Sequence, residues 1–423
     1  MTERKPEAWN RLDNAGKIFP PTSTKRDTKV FRFACELTEP VNATILQTAL
    51  DRTLEVFPFY RSILKKGLFW YYLERTSLEA VVHEENASPC SKIYDKNIRS
   101  LLFEVTYYRN RINLEIYHAL SDGTGALQFL RLLVYHYLLM RHADFFGEQL
   151  PTIDYDASMT QKLDDSFQKY YQKNSSSLGQ KKRRAYHIKG ARVPESRIQI
   201  IEGIVPVKGL ITRSHEYGAT LTAFVAALLM CSISEVMSVR DKRRPVVLTV
   251  PVNMRQYFPS ETARNFFTTL EVPYDFGRDS GELADVVKSV SDYFRQELTA
   301  ERMGIRMNSL AALEHNVFAR AVPRVVKDFF LRIGNSMSNS KITAALSNIG
   351  RIDMPQVFHR YIHRFDVFVS TPRLQICMCS FGENLTVSFT SAFVSTEIQK
   401  VFFRKLTALG VPVTIVSNPI EEE

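Results

Sequence analysis

The chain has 423 residues, of which 45% are hydrophobic and 24% are charged. This composition is ordinary for a globular protein and excludes a disordered or fibrous chain. The formal net charge is +10, but the basic clusters at 181–184 and 240–244 lack the interleaved aromatic residues of a single-strand binding surface. We therefore interpret these clusters as solvated surface and predict no nucleic-acid partner.

Length and cysteine content bound the architecture further. A chain of this length exceeds what one hydrophobic core normally supports, so two domains are expected. The N-terminal residues are polar and charged, and the most apolar helical segment, 221–233, is shorter than the about 20 residues of a membrane span. Five cysteines without a Cys-x-x-Cys pair indicate a reducing compartment, and Cys377 and Cys379 lack nearby metal-ligand partners in sequence. We predict a cytoplasmic protein with no membrane span and no metal.

The first half of the chain contains a candidate base at the end of a strand. A helix is predicted near 41–56, and apolar residues alternate with polar ones over 111–117, the period of a half-buried strand. His118 continues the apolar register, so its ring is expected to point inward. Turn-forming residues at 121–125 and an apolar helix over 126–140 follow. A base on the inner face of a strand end suits proton abstraction.

The second half repeats the alternation of strands and helices after a polar stretch at 151–190. Gly218 is predicted to end a short helix, Pro251 to end a buried strand, and Gly334 to lie just past another helix. The predicted strands are 197–201, 246–250, 342–347, 365–370, 375–381 and 385–391, and the predicted helices are 207–217, 221–239, 282–303, 323–333 and 396–409.

The segment His118-Ala119-Leu120-Ser121-Asp122-Gly123 resembles the His-x-x-x-Asp-Gly signature of the coenzyme A-dependent acyltransferase superfamily. This group includes chloramphenicol acetyltransferases, peptide-synthetase condensation domains and alcohol acetyltransferases. Tyr117 stands where condensation domains usually carry a second His, and the late Asp-Phe-Gly-Trp-Gly of plant-type members is absent. The alcohol acetyltransferase branch is therefore the better match. Further segments resemble the superfamily in the expected order, namely 12–20, 57–61, 251–255, 265–267 and 347–350.

The resemblance implies an α/β fold of two chloramphenicol acetyltransferase-like subdomains. Each would be a mixed β-sheet with flanking helices, and an active-site tunnel would lie at their interface. We place the N-terminal subdomain at 1–170, a linker at 171–195 and the C-terminal subdomain at 196–423. Two-domain members of this group are generally monomers, and we expect a monomer here.

The resemblance also implies a role for each residue of the signature. His118 would be the general base, taking a proton from an acceptor alcohol or amine as that atom attacks a thioester, with no acyl-enzyme. Asp122 would be structural and pair with Arg255, and Gly123 would leave room for substrate beside the turn.

The residues that would contact the oxyanion and the acyl donor are assigned less directly. Ser347 and Asn348 are candidate oxyanion or substrate contacts, with a simple turn after the predicted strand as the alternative. Asn265 has a weaker claim to the same role. The cluster Arg240, Lys242, Arg243 and Arg244 is the candidate site for donor phosphates, against the alternative of ordinary solvated surface.

The predicted co-substrate is acyl-coenzyme A, with no permanently bound cofactor. The alternative is an enzyme of the same fold that takes its acyl group from acyl-pantetheine on a carrier protein, as in polyketide or peptide assembly. A hypothesis of another class is a binding module that keeps the tunnel without turnover. The intact His118 and Asp122 favour an enzyme.

Overall fold

The structure is a computed structural model that describes residues 9–146, 151–152, 166–172, 183–195, 197–315 and 322–418. The predicted linker at 171–195 falls partly outside the described residues, as does the first half of the basic cluster at 181–184. The division into two subdomains at that linker stays a prediction.

The first half of the chain supplies most of a five-stranded sheet and a separate three-stranded sheet. Its strands are β1 (Trp9–Arg11), β2 (Val30–Leu37), β3 (Ser62–Lys66), β4 (Tyr71–Arg75), β5 (His83–Glu84), β6 (Phe103–Tyr108) and β7 (Arg111–Tyr117). Its helices are α1 (Phe19–Thr22), α2 (Ala43–Val56), α3 (Gly123–Arg141), α4 (Ala143–Phe146) and α5 (Ser166–Tyr170).

The second half builds a seven-stranded sheet flanked by longer helices. Its strands are β8 (Gln199–Pro206), β9 (Val246–Asn253), β10 (Phe267–Tyr274), β11 (Ala344–Arg351), β12 (Ile362–Val369), β13 (Leu374–Phe381), β14 (Asn384–Ser391) and β15 (Thr414–Ser417). Its helices are α6 (Val207–Glu216), α7 (Leu221–Val236), α8 (Leu283–Glu297), α9 (Ala300–His315), α10 (Arg324–Asn339) and α11 (Glu397–Ala408).

Both large sheets are mixed. The five-stranded sheet has the order β12-β2-β7-β6-β5, in which only β5 and β6 are parallel. The seven-stranded sheet has the order β10-β9-β11-β13-β14-β8-β15, and its parallel pairs are β9 with β11 and β11 with β13. Strand β12 comes from the second half of the chain but pairs with β2 of the first half. This pairing joins the two halves of the chain within one sheet.

Two hydrophobic cores accompany the two large sheets. One contains the apolar residues of β2, β6, β7, α2 and α3, and the other surrounds α7. Helix α7 is buried almost all round, and Thr220 caps its start by accepting a hydrogen bond from Ala223 N at 3.3 Å. The predicted α/β architecture with mixed sheets and flanking helices is confirmed.

Strand β7 is buried on both faces, so the prediction of a half-buried strand is wrong. Its polar residues Asn113 and Glu115 are 0% and 5% exposed. Glu115 is held by Arg32, which is 2% exposed and donates from Nε to Glu115 Oε1 at 2.7 Å. Alternation of polar residues indicated solvent, whereas Glu115 is held in a buried ion pair and Asn113 Nδ2 donates to Thr106 Oγ1 at 3.2 Å.

Several predicted boundaries are wrong for identifiable reasons. Strand β9 continues through Pro251 to Asn253, because β9 pairs with β11 only at Leu248 and Thr249 and has a neighbour on one side beyond them. The predicted helix 282–303 breaks into α8 and α9, and Thr299 accepts a hydrogen bond from Arg302 N at 3.3 Å at the new start. Gly334 lies inside α10, since an exposed helix tolerates glycine at a cost of about 1 kcal/mol.

No single helix in the described part of the chain is long and apolar enough to cross a membrane. Helices α6 and α7 meet the length and composition requirement only as a pair, and they are bent by 81° relative to each other.

Two buried carboxyl groups, one on each large sheet, interact electrostatically. Glu202 on β8 is 4% exposed and accepts a hydrogen bond from Ser388 Oγ at 3.1 Å. Burial raises the pKa of Glu202 to about 8, and the negative charge of Asp366 on β12 adds to the rise. Burial likewise raises the pKa of Asp366, which is 0% exposed and accepts hydrogen bonds from Arg364 Nε at 3.0 and 3.2 Å.

This pair predicts a protein that becomes less stable as pH rises. In the unfolded chain Glu202 ionises near its ordinary value of 4.5. Its contribution to stability is therefore fully present below that value and is lost progressively as pH rises to about 8. We expect the free energy of unfolding of the wild type to fall by on the order of a few kcal/mol between about pH 5 and pH 9. Glu202→Gln should remove this fall.

The measurement is the thermal midpoint of wild type and variant across that pH range. Glu383→Gln is the matched control, because the Glu383 side chain is 84% exposed. A wild type and a Glu202→Gln variant with parallel pH dependences would contradict the prediction.

Candidate active site

A cavity of about 280 Å³ lies between the two large sheets. Strands β2 and β12 of the five-stranded sheet form one wall, and strands β9, β10, β11 and β13 of the seven-stranded sheet form the other. His118, Asp122 and Gly123 enter it from the turn between β7 and α3. The cavity therefore lies where the sequence places the tunnel.

The His118 ring sits among aromatic side chains. Phe19 stacks on it with ring centroids 4.4 Å apart, and Phe31 meets it edge-on at 4.9 Å. Its backbone N donates to Lys29 O at 2.8 Å, which fixes the strand end. Burial lowers the pKa of His118, against the opposing effect of the Asp122 charge. Burial thus favours the neutral imidazole, the form that can accept a proton.

Asn265 and the backbone carbonyl of His118 itself both influence which nitrogen of the ring carries the proton. Asn265 Nδ2 lies 3.1 Å from Asp13 Oδ2, and a carboxylate can only accept, so the amide NH₂ faces Asp13. Asn265 Oδ1 then faces His118 Nδ1 at 3.1 Å and accepts from it. His118 Nε2 has no hydrogen-bond partner among the described residues and keeps its lone pair. The ring is thus held as the tautomer that a general base needs.

Asp13 is itself firmly held. It is 1% exposed, and it accepts hydrogen bonds from Gly16 N at 2.6 Å and Asn265 N at 3.3 Å. Arg264 Nε lies 3.7 Å from its Oδ2. A Cβ on Gly16 would come within 3.0 Å of Asp13 Oδ1 and 3.3 Å of Ala119 O, so glycine permits the close approach. Segment 12–20 contributes to the resemblance, but the sequence alone predicts no role for Asp13.

Asp122 forms the hub of a second buried network. Arg255 Nη1 donates to Asp122 Oδ2 at 2.8 Å, and the two side chains are only 10% and 5% exposed. Phe266 N donates to the same oxygen at 2.9 Å. Gly125 N donates to Asp122 Oδ1 at 3.0 Å, so Asp122 is also the N-cap of α3. Asp122 does not touch the His118 ring by hydrogen bond, and it fixes the helix and the β9–β10 connection instead.

Glycine stands at two positions beside the turn, and the space around the two positions differs. A Cβ on Gly123 would meet Ile349 Cδ1 at 3.5 Å and Phe33 Cζ at 3.9 Å, which are ordinary contacts, so the protein itself leaves room there. A Cβ on Gly125 would overlap Ala263 O and Ser121 Oγ. Backbone packing therefore requires glycine at 125, which the sequence predicts only as one of the turn-forming residues at 121–125.

Ser347 and Asn348 line the cavity from within β11, so the alternative of a turn after the strand is wrong. Asn348 Nδ2 donates to Thr222 Oγ1 at 2.9 Å, and its Oδ1 accepts from Gly350 N at 2.9 Å. Ser347 Oγ has no hydrogen-bond partner among the described residues. Of the candidate oxyanion contacts, Ser347 is the one whose donor is uncommitted, while the Asn265 amide is engaged by Asp13 and His118.

The structure does not bring the basic cluster to this cavity. Among the described lining residues there is none of Arg240, Lys242, Arg243 and Arg244. Three of the four residues, Arg240, Arg243 and Arg244, are exposed. Arg243 O accepts from Arg183 Nη2 at 2.8 Å, and Asp241 pairs with Lys189 at 2.8 Å. These contacts agree with a solvated surface.

Cys377 is the cavity thiol, and it is poorly suited to nucleophilic attack. Burial raises the pKa of its thiol to about 12, so the reactive thiolate is absent at physiological pH. The described residues contain no group of three or more His, Cys, Asp or Glu side chains that could hold a metal ion.

The sequence matches no protein-family model and no curated protein. Solved structures, however, are similar over nearly the whole chain. The trichothecene 15-O-acetyltransferase TRI3 of Fusarium sporotrichioides has a TM-score of 0.60 and 11% identity, covering 96% of each chain. Polyketide synthase associated protein 5 of Mycobacterium tuberculosis has a TM-score of 0.60 and 14% identity, covering 96% of this chain and 99% of that one.

A condensation domain is equally similar. The starter condensation domain of rhizomide synthetase, solved with C8-coenzyme A and Leu-SNAC, has a TM-score of 0.61 and 12% identity, covering 95% of this chain and 94% of that one. The chain has the coenzyme A-dependent acyltransferase and condensation-domain fold. Within this acyltransferase fold the described cavity occupies the junction of the two sheets. The predicted resemblance and fold class are confirmed.

Proposed function

We propose that the protein transfers an acyl group from a thioester, acyl-coenzyme A, to a small alcohol or amine. The observation that carries this proposal is a neutral His118 facing a cavity, with Nδ1 committed to Asn265 and Nε2 free among the described residues. Similar folds include acetyltransferases and a condensation domain solved with C8-coenzyme A, which supports a thioester donor.

The reaction needs one proton relay and no covalent intermediate on the protein. His118 Nε2 takes the proton from the acceptor hydroxyl or amine as that atom attacks the thioester carbonyl. The resulting oxyanion accepts a hydrogen bond, for which Ser347 Oγ is the candidate donor. Collapse breaks the C–S bond, and the imidazolium returns the proton to the departing thiolate. Ester or amide and free thiol are the products.

The thioester donor tests the proposal directly. Free thiol should be released from acetyl- and longer acyl-coenzyme A only when an alcohol or amine from a panel is present. Release that does not depend on any acceptor would indicate a hydrolase, and no release with any pair would contradict a coenzyme A donor.

A carrier-protein donor is the second candidate, and the similar condensation domain and polyketide synthase associated protein favour it. It predicts that acyl-pantetheine on a loaded carrier is used while acyl-coenzyme A is not. A binding module without turnover would bind either thioester and release no thiol.

Asp13 is expected to act through the tautomer of His118. In Asp13→Asn an amide can turn its NH₂ toward Asn265, which then flips and presents its own NH₂ to His118 Nδ1. Nε2 would carry the proton in that case and could not act as a base. We expect kcat to fall by about 10- to 100-fold, the size typical for the outer partner of a functional imidazole, with KM nearly unchanged.

The measurement is kcat and KM across pH for wild type, Asp13→Asn and a control variant. Asp51→Asn is the control, because Asp51 is exposed on α2 and accepts a hydrogen bond from Gln47 Nε2 at 3.2 Å, away from the site. A rise in KM with kcat unchanged would argue against the positioning role of Asp13. Equal losses of kcat in Asp13→Asn and in its control would do the same.

A further inference from the structure

Helix α10 (Arg324–Asn339) is amphipathic, but its apolar side faces away from the protein. Six apolar side chains on it are between 42% and 70% exposed. A helix on the surface of a globular protein normally turns this side toward the core. The outward apolar residues are Val325, Val326, Phe329, Phe330, Ile333 and Met337.

The orientation of α10 is fixed by polar contacts on its inner side. Asp328 is 9% exposed, and its Oδ2 accepts from Tyr71 OH at 2.9 Å and from Arg324 Nη1 at 3.0 Å. Lys327 is 8% exposed and lies 3.7 Å from the centroid of the Trp70 ring. Rotating the helix to bury its apolar side would break this buried network. The outward face is therefore a built feature of the fold.

The apolar face of α10 continues onto the loop between β3 and β4. Arg324 N donates to Leu68 O at 3.0 Å, which joins the start of α10 to this loop. Leu68 is 74% exposed and Phe69 is 42% exposed. Eight exposed apolar side chains from two elements thus form one surface, which we call the α10 face. Apolar surfaces of this kind mark sites of interaction.

Positive charges outnumber negative ones among the described residues around the α10 face, where Asp95, the acid next to Lys96, is paired with Lys92. Lys66 and Lys96 are exposed beside the loop, where Lys66 Nζ donates to Lys96 O at 3.1 Å. Arg332 is exposed on α10 and donates from Nε to Pro21 O at 2.9 Å. The only acid of α10, Asp328, is buried and paired. A second copy of this surface would bring like charges together, whereas an anionic lipid surface would complement them.

We propose that the α10 face docks the protein on the surface of an anionic lipid bilayer, with α10 lying in the interface. Exposed aromatic and aliphatic residues flanked by cations are the composition of interfacial helices. Docking does not depend on the proposed acyl transfer. It would nevertheless bring lipophilic substrates close to the cavity, because α10 packs on α1 and Phe19 of α1 stacks on His118.

Vesicle flotation of the full chain tests this proposal. Vesicles of phosphatidylcholine with phosphatidylglycerol should carry the protein, and vesicles of phosphatidylcholine alone should carry much less. Replacing Phe329→Ser together with Phe330→Ser should weaken binding by about 100-fold, because it removes two of the largest exposed apolar side chains of the α10 face. Lys66→Gln with Lys96→Gln should weaken binding mainly at low salt.

The control is Val236→Ser with Val239→Ser, which changes two apolar residues that are 45% and 89% exposed outside the α10 face. It should bind vesicles as wild type does. Equal thermal midpoints of all variants would show that folding is intact. Absent vesicle binding, or binding that survives the double Phe change, would overturn the proposal. So would light scattering that shows a dimer of wild type, dissociated by the same change, without vesicle binding.

Discussion

Asp122→Ala is expected to destabilise the protein by about 3–5 kcal/mol, the usual result of removing one partner of a buried ion pair. The change leaves the Arg255 guanidinium, whose side chain is 10% exposed, without its carboxylate. It also removes the acceptor of Phe266 N and the cap of α3. The loss of the cap alone is worth about 0.5–2 kcal/mol. The thermal midpoint and the free energy of unfolding measure the effect.

A double change separates the cost of an unpaired charge from the worth of the pair. Asp122→Ala with Arg255→Met removes both charges and should recover part of the stability. Asp122→Asn keeps one side-chain oxygen, which can replace the acceptor of either Phe266 N or Gly125 N but not of both, and should cost less than the alanine change. Asp292→Ala is the matched surface control, since the Asp292 side chain is 44% exposed in its pair with Arg295. Equal stability of Asp122→Ala and this control would contradict the structural role.

The same residues illustrate what a sequence can and cannot predict about this site. Asp122 and Arg255 are 133 positions apart, and no periodicity relates them. The resemblance to a known superfamily named both, and the structure places them in contact. The role of Asp13 cannot be predicted in this way, because its contact with Asn265 spans 252 positions. A single sequence offers no signal for such a pair. Its nearest local cue was Gly16, three positions on, as the partner of an Asx-type bond.

The burial of β7 shows a second limit of prediction from the sequence. Polar residues at alternate positions of β7 indicated a solvent-facing side, yet Asn113 and Glu115 are buried. The cause is the neighbouring strand, from which Arg32 pairs with Glu115. Local pattern sets where a strand or helix forms, as it did for the start of α7 at Leu221. Whether its polar side meets water depends on what packs there, and that is decided by residues distant in sequence.

Burial of the His118 ring should give a pH profile that distinguishes the proposed base from other groups. Activity requires neutral imidazole, so kcat/KM rises with pH through the pKa of His118. Because burial lowers that pKa below the ordinary value of 6.5, activity should stay high to a lower pH than a solvent-exposed histidine would allow. An activity that instead falls toward neutral pH would indicate a different titrating group.

His118→Ala should lower kcat/KM by about 10²–10⁴-fold, the range that a positioned general base contributes. The thermal midpoint should change little by comparison, because the ring lines a cavity and does not fill a core. His136→Ala is the control, since burial also lowers the pKa of His136 but the residue on α3 does not line that cavity. Calorimetric titration of His118→Ala with coenzyme A separates the alternatives. Retained affinity with lost turnover supports a base, whereas retained turnover places proton abstraction elsewhere and leaves His118 as part of a binding surface.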